Sequence, residues 1–391
     1  MIAAAASQIS AAGSRMVRDG APMTSAYSRA EVSSRRSAVA TPTTATPSRA
    51  IGHRMARHSE GLVSTGPNCP PFLAGRERSV HDGPHSIAML GPIRGVTSRR
   101  ALLASGWDAM ALQRELRSGR IVTVRRGAYA PALLLAAAAR EPNLAHAVDI
   151  AAVAATQHRQ VVASHLTAAM LHRLDVLAPP SRLEFTSPTG VDKLGRGYRI
   201  RVATLPASHI DRHRGVFVTT VARTVIDIGR TAPLREALVV ADAALRGARV
   251  DKEGLREAHA SCRRWPGSDA ADVVVHLADG RAESPLETLG RLLVLEHGLP
   301  APELQLPIWD DEGIFAYVDL GWPAHRVAVE FDGMVKYDGR DPGVLRREKL
   351  RQERLERLGW IVVRLTWHDV VYEPDRAMAR LRAALARAER R

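Results

Sequence analysis

Three carboxylates fall close together in the run Tyr317 to Lys336, YVDLGWPAHRVAVEFDGMVK. Two short apolar segments, YVDLGW and RVAVEFDG, read as strands joined by a proline-containing turn, and they carry Asp319, Glu330 and Asp332. Side chains alternate between faces along a strand, so Glu330 and Asp332 share one face while Val327, Val329 and Phe331 share the other. Two acids on one face of a mostly apolar strand are costly to half-bury unless something offsets their charge. A divalent cation would do so, and a nearby lysine would help. A second constellation is weaker. His209 and His213, within SHIDRH, have a spacing that clamps a metal when helical, but no third ligand or glutamate base accompanies them. The segment follows Pro206 between two apparent strands, so a polar connecting loop is expected, and His165 reads as a satisfied, partly buried histidine.

The elements around the acids read as helix, strand, strand, helix, strand, helix over residues 280–391. ESPLETLGRLLVLEHG opens with a capping box, Ser284 followed three residues later by Glu287, and stops at Gly298. LRREKLRQERLERLG is a strongly charged helix in which Leu345, Leu350, Leu355 and Leu358 form a rough apolar stripe. WIVVRLTW is a continuous apolar run, expected as a buried strand beside the hairpin, and an Arg- and Ala-rich helix closes the chain.

Upstream, TSRRALLASG reads as a short helix from a Thr/Ser cap to Gly106, and WDAMALQRELRSG as a second helix stopping at Gly119. IVTVRRGAYA follows as two strands around Arg125, Arg126 and Gly127. Helix, tight turn, helix and basic hairpin is the order of a winged helix-turn-helix, in which the second helix enters the major groove and the wing touches backbone. Arg114, Arg117 and Arg120 on the helix and Arg125 and Arg126 on the wing are then the DNA contacts. Residues 136–275 alternate expected helices with expected strands (RLEFTS, YRIRVATL, GVFVTT) and suffice for a small α+β domain.

A chain of 391 residues holds two or three such domains, and its net charge of +14 points to a polyanionic partner, most simply nucleic acid. Codon bias explains the choice of Arg over the four lysines (Lys193, Lys252, Lys336, Lys349) better than it explains the net excess. Cys69 and Cys262 form neither a disulfide framework nor a zinc pattern, which fits a reducing cytoplasm. The longest apolar run, PALLLAAAA from Pro131, is far too short to span a bilayer, so no membrane partner is expected. Residues 1–88 are rich in Ala, Ser, Thr, Arg and Pro without period, and a disordered arm is expected there.

Two resemblances sharpen this outline. The run TSRRALLASGWDAMALQRELRSGRIVTVRRGAYA, with Gly106, the Leu116 to Gly119 turn and the closing Arg126-Gly127-x-Tyr129, resembles the N-terminal domain of AbiEi-family antitoxins of toxin–antitoxin systems. It implies a winged-helix DNA-binding domain over residues 89–135, repression of its own promoter, and a cognate toxin as partner; a homodimer stays open. Residues 280–391 resemble the PD-(D/E)XK restriction-endonuclease-like fold, specifically the DUF559 family related to very-short-patch-repair endonucleases. The matching residues are Ser284-Pro285-Leu286-Glu287, Val318-Asp319, Val329 to Gly333, Arg347-Glu348-Lys349 and Gly359-Trp360-x-Val362-x-Arg364. The fold class implied is multi-domain α/β (α+β), and the activity is Mg2+-dependent (or Mn2+-dependent) endonuclease hydrolysis of DNA, in defence or repair.

By this resemblance Asp319 is the main metal ligand, Glu330 the second, and Glu287 completes or orients the shell. Arg347, Arg351 and Arg364 face the phosphate. The family's lysine two residues after the glutamate is replaced by Asp332. Either Asp332 is a further metal ligand and Lys336 supplies the missing cation, or the site is weakened and the chain is a DNA-binding regulator of antitoxin type.

Overall fold

The computed structural model describes residues 95–332 and 342–390. The arm expected over residues 1–88, the start of the expected winged unit at 89–94, and Lys336 lie outside the described residues. Among the described residues, thirteen α-helices and three sheets form a mixed α and β fold. No described helix is long and apolar enough to cross a membrane.

The first sheet is built around two capped helices. Ser98 Oγ accepts the Ala101 N–H at 3.2 Å, and Asp108 Oδ1 accepts the Ala111 N–H at 2.6 Å. Each side chain satisfies a donor that a helix start leaves unpaired, opening α1 (Arg99–Ala104) and α2 (Ala109–Arg117). The second helix therefore begins at Ala109, after its cap, rather than at Trp107. β1 (Thr97–Ser98) precedes them, and the hairpin β2 (Ile121–Arg125) and β3 (Ala128–Pro131) follows, in the order β1-β3-β2. Leu102, Trp107, Ala111, Leu112 and Ile121 make its small core.

A six-stranded sheet comes next. α3 (Ala132–Ala138), α4 (Pro142–Ala155), β4 (Val162–Ala163), α5 (His165–Leu171), β5 (Leu183–Ser187), β6 (Lys193–Gly195), β7 (Tyr198–Val202), β8 (Ile210–His213) and β9 (Val216–Thr219) give the strand order β6-β7-β5-β4-β9-β8. The segment Ser208–His213 is not a loop: a 3-10 turn over Ala207–His209 leads directly into the edge strand β8. His209 sits 3.3 Å from the Arg223 guanidinium, and His213 lies against the His172 ring. Four helices, α6 (Val221–Thr231), α7 (Leu234–Arg246), α8 (Lys252–Ala260) and α9 (Ser268–Leu277), then pack around Val225, Ile226, Leu238, Leu255 and Val274.

The last sheet has the order β10-β11-β12-β13. It follows α10 (Pro285–Glu296) and contains β10 (Glu303–Asp310), β11 (Gly313–Trp322), β12 (Val327–Asp332) and, after the crossover helix α11 (Pro342–Arg357), β13 (Ile361–Thr366). β13 pairs with β12 in parallel, as a helical crossover requires. The short α12 (Trp367–Val371) and α13 (Pro374–Glu389) close the chain. One sheet face, with Leu320, Val327, Val329 and Val363, packs under α10 and α13; the other, with Val318, Ala328 and Leu306, packs under Leu355 of α11. Gly290 lets α10 approach closely, because a Cβ there would fall 2.1 Å from the Phe331 ring. In α11 the expected stripe is narrower, with Leu355 buried and Leu350 exposed to solvent.

Candidate functional site

The acids lie on a single row across the last sheet. Leu304 pairs with Leu320 and Leu306 with Val318, which puts Gln305 opposite Asp319. Leu320 pairs with Val329, so one step further along that register Asp319 stands opposite Glu330, and Glu330 pairs with Arg364. Gln305, Asp319, Glu330 and Arg364 thus form a polar row, one residue per strand, through an otherwise apolar sheet.

The row is also a crease. Leu304 and Leu306 should share a face, being two apart on a strand, yet Leu304 packs in the core under α10 and Leu306 in the core under α11. Gln305, between them, has φ +48, a left-handed conformation that side chains seldom adopt and that costs of order 1–3 kcal/mol. The main-chain ladder between β11 and β12 stops at Leu320 and Val329. Beyond it, the Phe331 N–H donates to the Asp319 carboxylate at 2.7 Å. A side chain therefore takes the place of a backbone acceptor where the strands part.

Glu287 is fully engaged. Its two carboxylate oxygens accept the Glu283 N–H at 2.7 Å, the Ser284 hydroxyl at 2.8 Å and the Gln305 amide at 3.0 Å. The expected capping box is present in altered form: Ser284 caps the Glu287 N–H, but Glu287 reaches the N–H of Glu283 rather than that of Ser284. Gln305 escaped the sequence reading. Its only signal there was an amide between two leucines in ELQLPI.

Glu330 faces α11, from which Arg351 comes to 2.8 Å from Oε1, and Arg364 on β13 lies 3.6 Å from Oε2. The Arg351 contact is an ion pair without hydrogen-bond alignment, and the buried Oε1 is left with no hydrogen-bond donor. Arg351 directs a hydrogen bond instead to the Tyr317 carbonyl at 2.7 Å, and Arg364 also meets Glu348 at 3.6 Å. Burial raises the proton affinity of Asp319; the Phe331 N–H opposes this, Glu287 and Glu330 add to it, and the carboxyl comes to about 6. Asp332 ends β12 opposite Thr366, two residues beyond Glu330. Asp319 is therefore brought together with Glu330 and Glu287. Among the described residues, however, no three acids or other ligands form a metal-binding group. Arg347 is exposed on α11.

In the N-terminal unit Arg114 and Arg117 on α2 and Arg126 at the hairpin turn are exposed. Arg120 is held by Glu115 at 2.6 Å. Arg125 turns inward, its guanidinium 4.9 Å above the Tyr198 ring and hydrogen-bonded to the Arg196 carbonyl. It joins the hairpin to the six-stranded sheet.

No protein-family model matches this chain. Over 280 residues it is 33% identical to Uncharacterized protein MT2308 and, to the same extent, to Uncharacterized protein Rv2248, from two strains of Mycobacterium tuberculosis. The match spans 70% of this chain and 96% of each relative. Among solved structures, the crystal structure of RV2827C protein from Mycobacterium tuberculosis aligns with a TM-score of 0.29 at 14% identity, covering 56% of this chain and 84% of that one. At one-third identity over nearly the full length of the first two relatives, this chain belongs to the family of the uncharacterized mycobacterial proteins MT2308 and Rv2248.

Proposed function

We propose that this chain is a DNA-binding protein whose C-terminal domain hydrolyses phosphodiester bonds with Mg2+ (or Mn2+), and whose N-terminal winged unit brings it to DNA. The observation that carries the reading is the juxtaposition of Asp319 and Glu330, one of whose buried oxygens lacks a hydrogen-bond donor. Two half-buried carboxylates side by side suit a hard cation, and Mg2+ is commonly held by one or two carboxylates together with substrate phosphates rather than by a full protein cage. Asp319 and Glu330 would hold the ion. Glu287, its oxygens already engaged by three donors, acts on Asp319 through charge instead of ligating. When bound, Mg2+ supplies charge relief at the phosphate and an activated water. Arg351 and Arg364, now the counter-ions of Glu330, are suited to pair with a phosphate in its place.

The same ion pairs favour a second reading. With Glu330 neutralised by two arginines and Asp332 where a lysine is expected, the domain is an inactive nuclease fold, and the chain an AbiEi-type antitoxin or regulator that only binds DNA. Plasmid nicking decides between them. The first reading expects Mg2+-dependent nicking that Asp319→Ala and Glu330→Ala each abolish. Full cleavage by both variants would sink the metal assignment. No cleavage by the wild type, with a footprint on its own promoter, would select the regulator.

A further inference from the structure

Between the wing and the β6 edge of the six-stranded sheet runs a seam of cations whose partners are neutral. Arg125 on β2 lies 4.9 Å above the Tyr198 ring and donates to the Arg196 carbonyl at 3.4 Å. Lys193 on β6 lies 5.6 Å from the centre of the same ring and donates to the Gln157 amide oxygen at 3.0 Å. Arg100 on α1 donates to the Gln157 carbonyl at 3.1 Å and meets a His158 ring nitrogen at 2.6 Å. Arg159 donates to the Val191 carbonyl at 2.5 Å. Lys193 pairs with Ile200 and Gly195 with Tyr198, and both core residues pack with α4 and the wing strands, so these groups share the sheet face that the wing covers. Gly195 makes room for the ring, since a Cβ there would fall 2.2 Å from it. Among the described residues, none of Arg100, Arg125, Arg159, Lys193, Arg196 and the wing-tip Arg126 pairs with a carboxylate. Asp192, next to Lys193, accepts the Val202 N–H at 2.7 Å, and burial pushes the Asp149 carboxyl up against the pull of His146 and Arg125. Like charges gathered without counter-ions repel one another, so the seam calls for an anion.

We infer that this seam is a second phosphate-binding surface, which carries the backbone of a DNA duplex on from the wing tip to the β6–β7 turn at Arg196. The inference rests on the DNA-binding reading above, not on the nuclease, and gives the middle of the chain a part in it. A wing touches backbone. Arg126 at the wing tip adjoins Arg125, whose guanidinium is within hydrogen-bond reach of Arg196. A duplex carries one negative charge about every 1.7 Å along its axis, so a backbone passing Arg126 brings further phosphates to Arg196 and Lys193, both of them exposed. Arg125 is committed to the ring and the carbonyl, and it joins the two halves of the seam instead of contacting phosphate.

The test is fluorescence anisotropy of the full-length chain on a labelled duplex across a salt series, in EDTA so that cleavage plays no part. Arg196→Ala and Lys193→Ala should each lower the slope of log affinity against log salt by about 1, and the double variant by about 2. Arg196→Lys should keep the wild-type slope, because the charge remains. Arg199→Ala is the control: Arg199 is also exposed, but it alternates to the other face of β7, and its loss should leave the slope unchanged. An unchanged slope in the double variant, with its thermal melt intact, overturns the inference. So does an equal drop for Arg199→Ala, which would make the effect one of net charge alone. Where loss of the Lys193 contact to Gln157 lowers the melt, Arg196→Ala, at an exposed turn, decides by itself. A slope that falls for Arg114→Ala but not for the seam variants keeps the winged-unit reading and removes this inference. The opposite pattern keeps the seam and removes α2 from the interface. A wild type that binds no duplex at low salt removes both.

Discussion

At the scale of single residues, the site stores electrostatic cost. The Asp319 carboxyl is raised to about 6 in the fold, whereas in the unfolded chain it titrates near 3.8. Between these values the unfolded chain releases a proton that the folded chain keeps. Folded stability therefore falls as pH rises through this window, and the loss is complete above pH about 6. A displacement of this size corresponds to about 3 kcal/mol at neutral pH. Asp319→Asn removes the charge while keeping the shape. It should raise the thermal midpoint at pH 7, have little effect at pH 4, and abolish any rise in midpoint that Mg2+ gives the wild type. Melts of the two proteins at both pH values, with and without Mg2+, check this; an equal Mg2+ response in the variant would remove Asp319 from the ion's shell. A loss of stability of this kind is what the proposed ion site would cost the fold. The strained Gln305 belongs to the same pattern, holding a costly backbone conformation that sets an amide against Glu287.

At the scale of elements, α10 is fixed from both sides. It lies on the sheet through Gly290 and Phe331, and it meets α7 through a buried charge network. Asp242 on α7 is fully buried and accepts from Arg291 at 2.9 Å, Thr288 at 2.8 Å and the Asp279 N–H at 2.7 Å. Burial pushes the Asp242 carboxyl up, and Arg291 is the chief opposing influence. Removing one partner strands a charge in the interior, so Arg291→Met should destabilise the fold by about 3–5 kcal/mol. Replacing both groups, with Asp242→Leu, should recover most of that. Urea denaturation of the single and double variants checks it, and equal losses in the two would show that packing, not charge, is responsible. These elements differ in how far the sequence disclosed them. The helix start at Ser284 and the strands of Asp319 and Glu330 were legible because caps and alternation are local signals, and the strand after α11 because its apolar run is unbroken. β10 was not: Pro307 and the face switch at Gln305 break the two-residue period. The two-residue β4 is too short to carry a period at all, and α8 and α9 follow from packing against α6 and α7 rather than from strong local patterns. The polar row across four strands is a matter of register, which no single segment encodes.

At the scale of the whole molecule, the excess of positive charge is divided between arginines that hold the fold and arginines available to a partner. Arg223 is buried against Asp227, Arg291 against Asp242, and Arg125 is stacked on Tyr198, joining the hairpin to the next sheet. Arg114 and Arg117 on α2 and Arg126 at the turn are open to solvent. If the winged unit binds DNA through its second helix and wing tip, these two groups behave differently. Removing an arginine that neutralises one phosphate should lower the slope of log affinity against log salt by about 1. Arg114→Ala and Arg117→Ala should do so while leaving the melting temperature unchanged. Arg125→Ala should instead leave the salt slope unchanged and lower the melting temperature, because it removes a cation resting on a ring, an interaction worth about 0.5–1 kcal/mol at such sites. Duplex titrations across a salt series, paired with melts of the same variants, separate the two classes. A salt slope that drops for Arg125→Ala and holds for Arg114→Ala would mean that DNA approaches the hairpin from the side of the six-stranded sheet, and α2 would lose its assignment as the recognition helix.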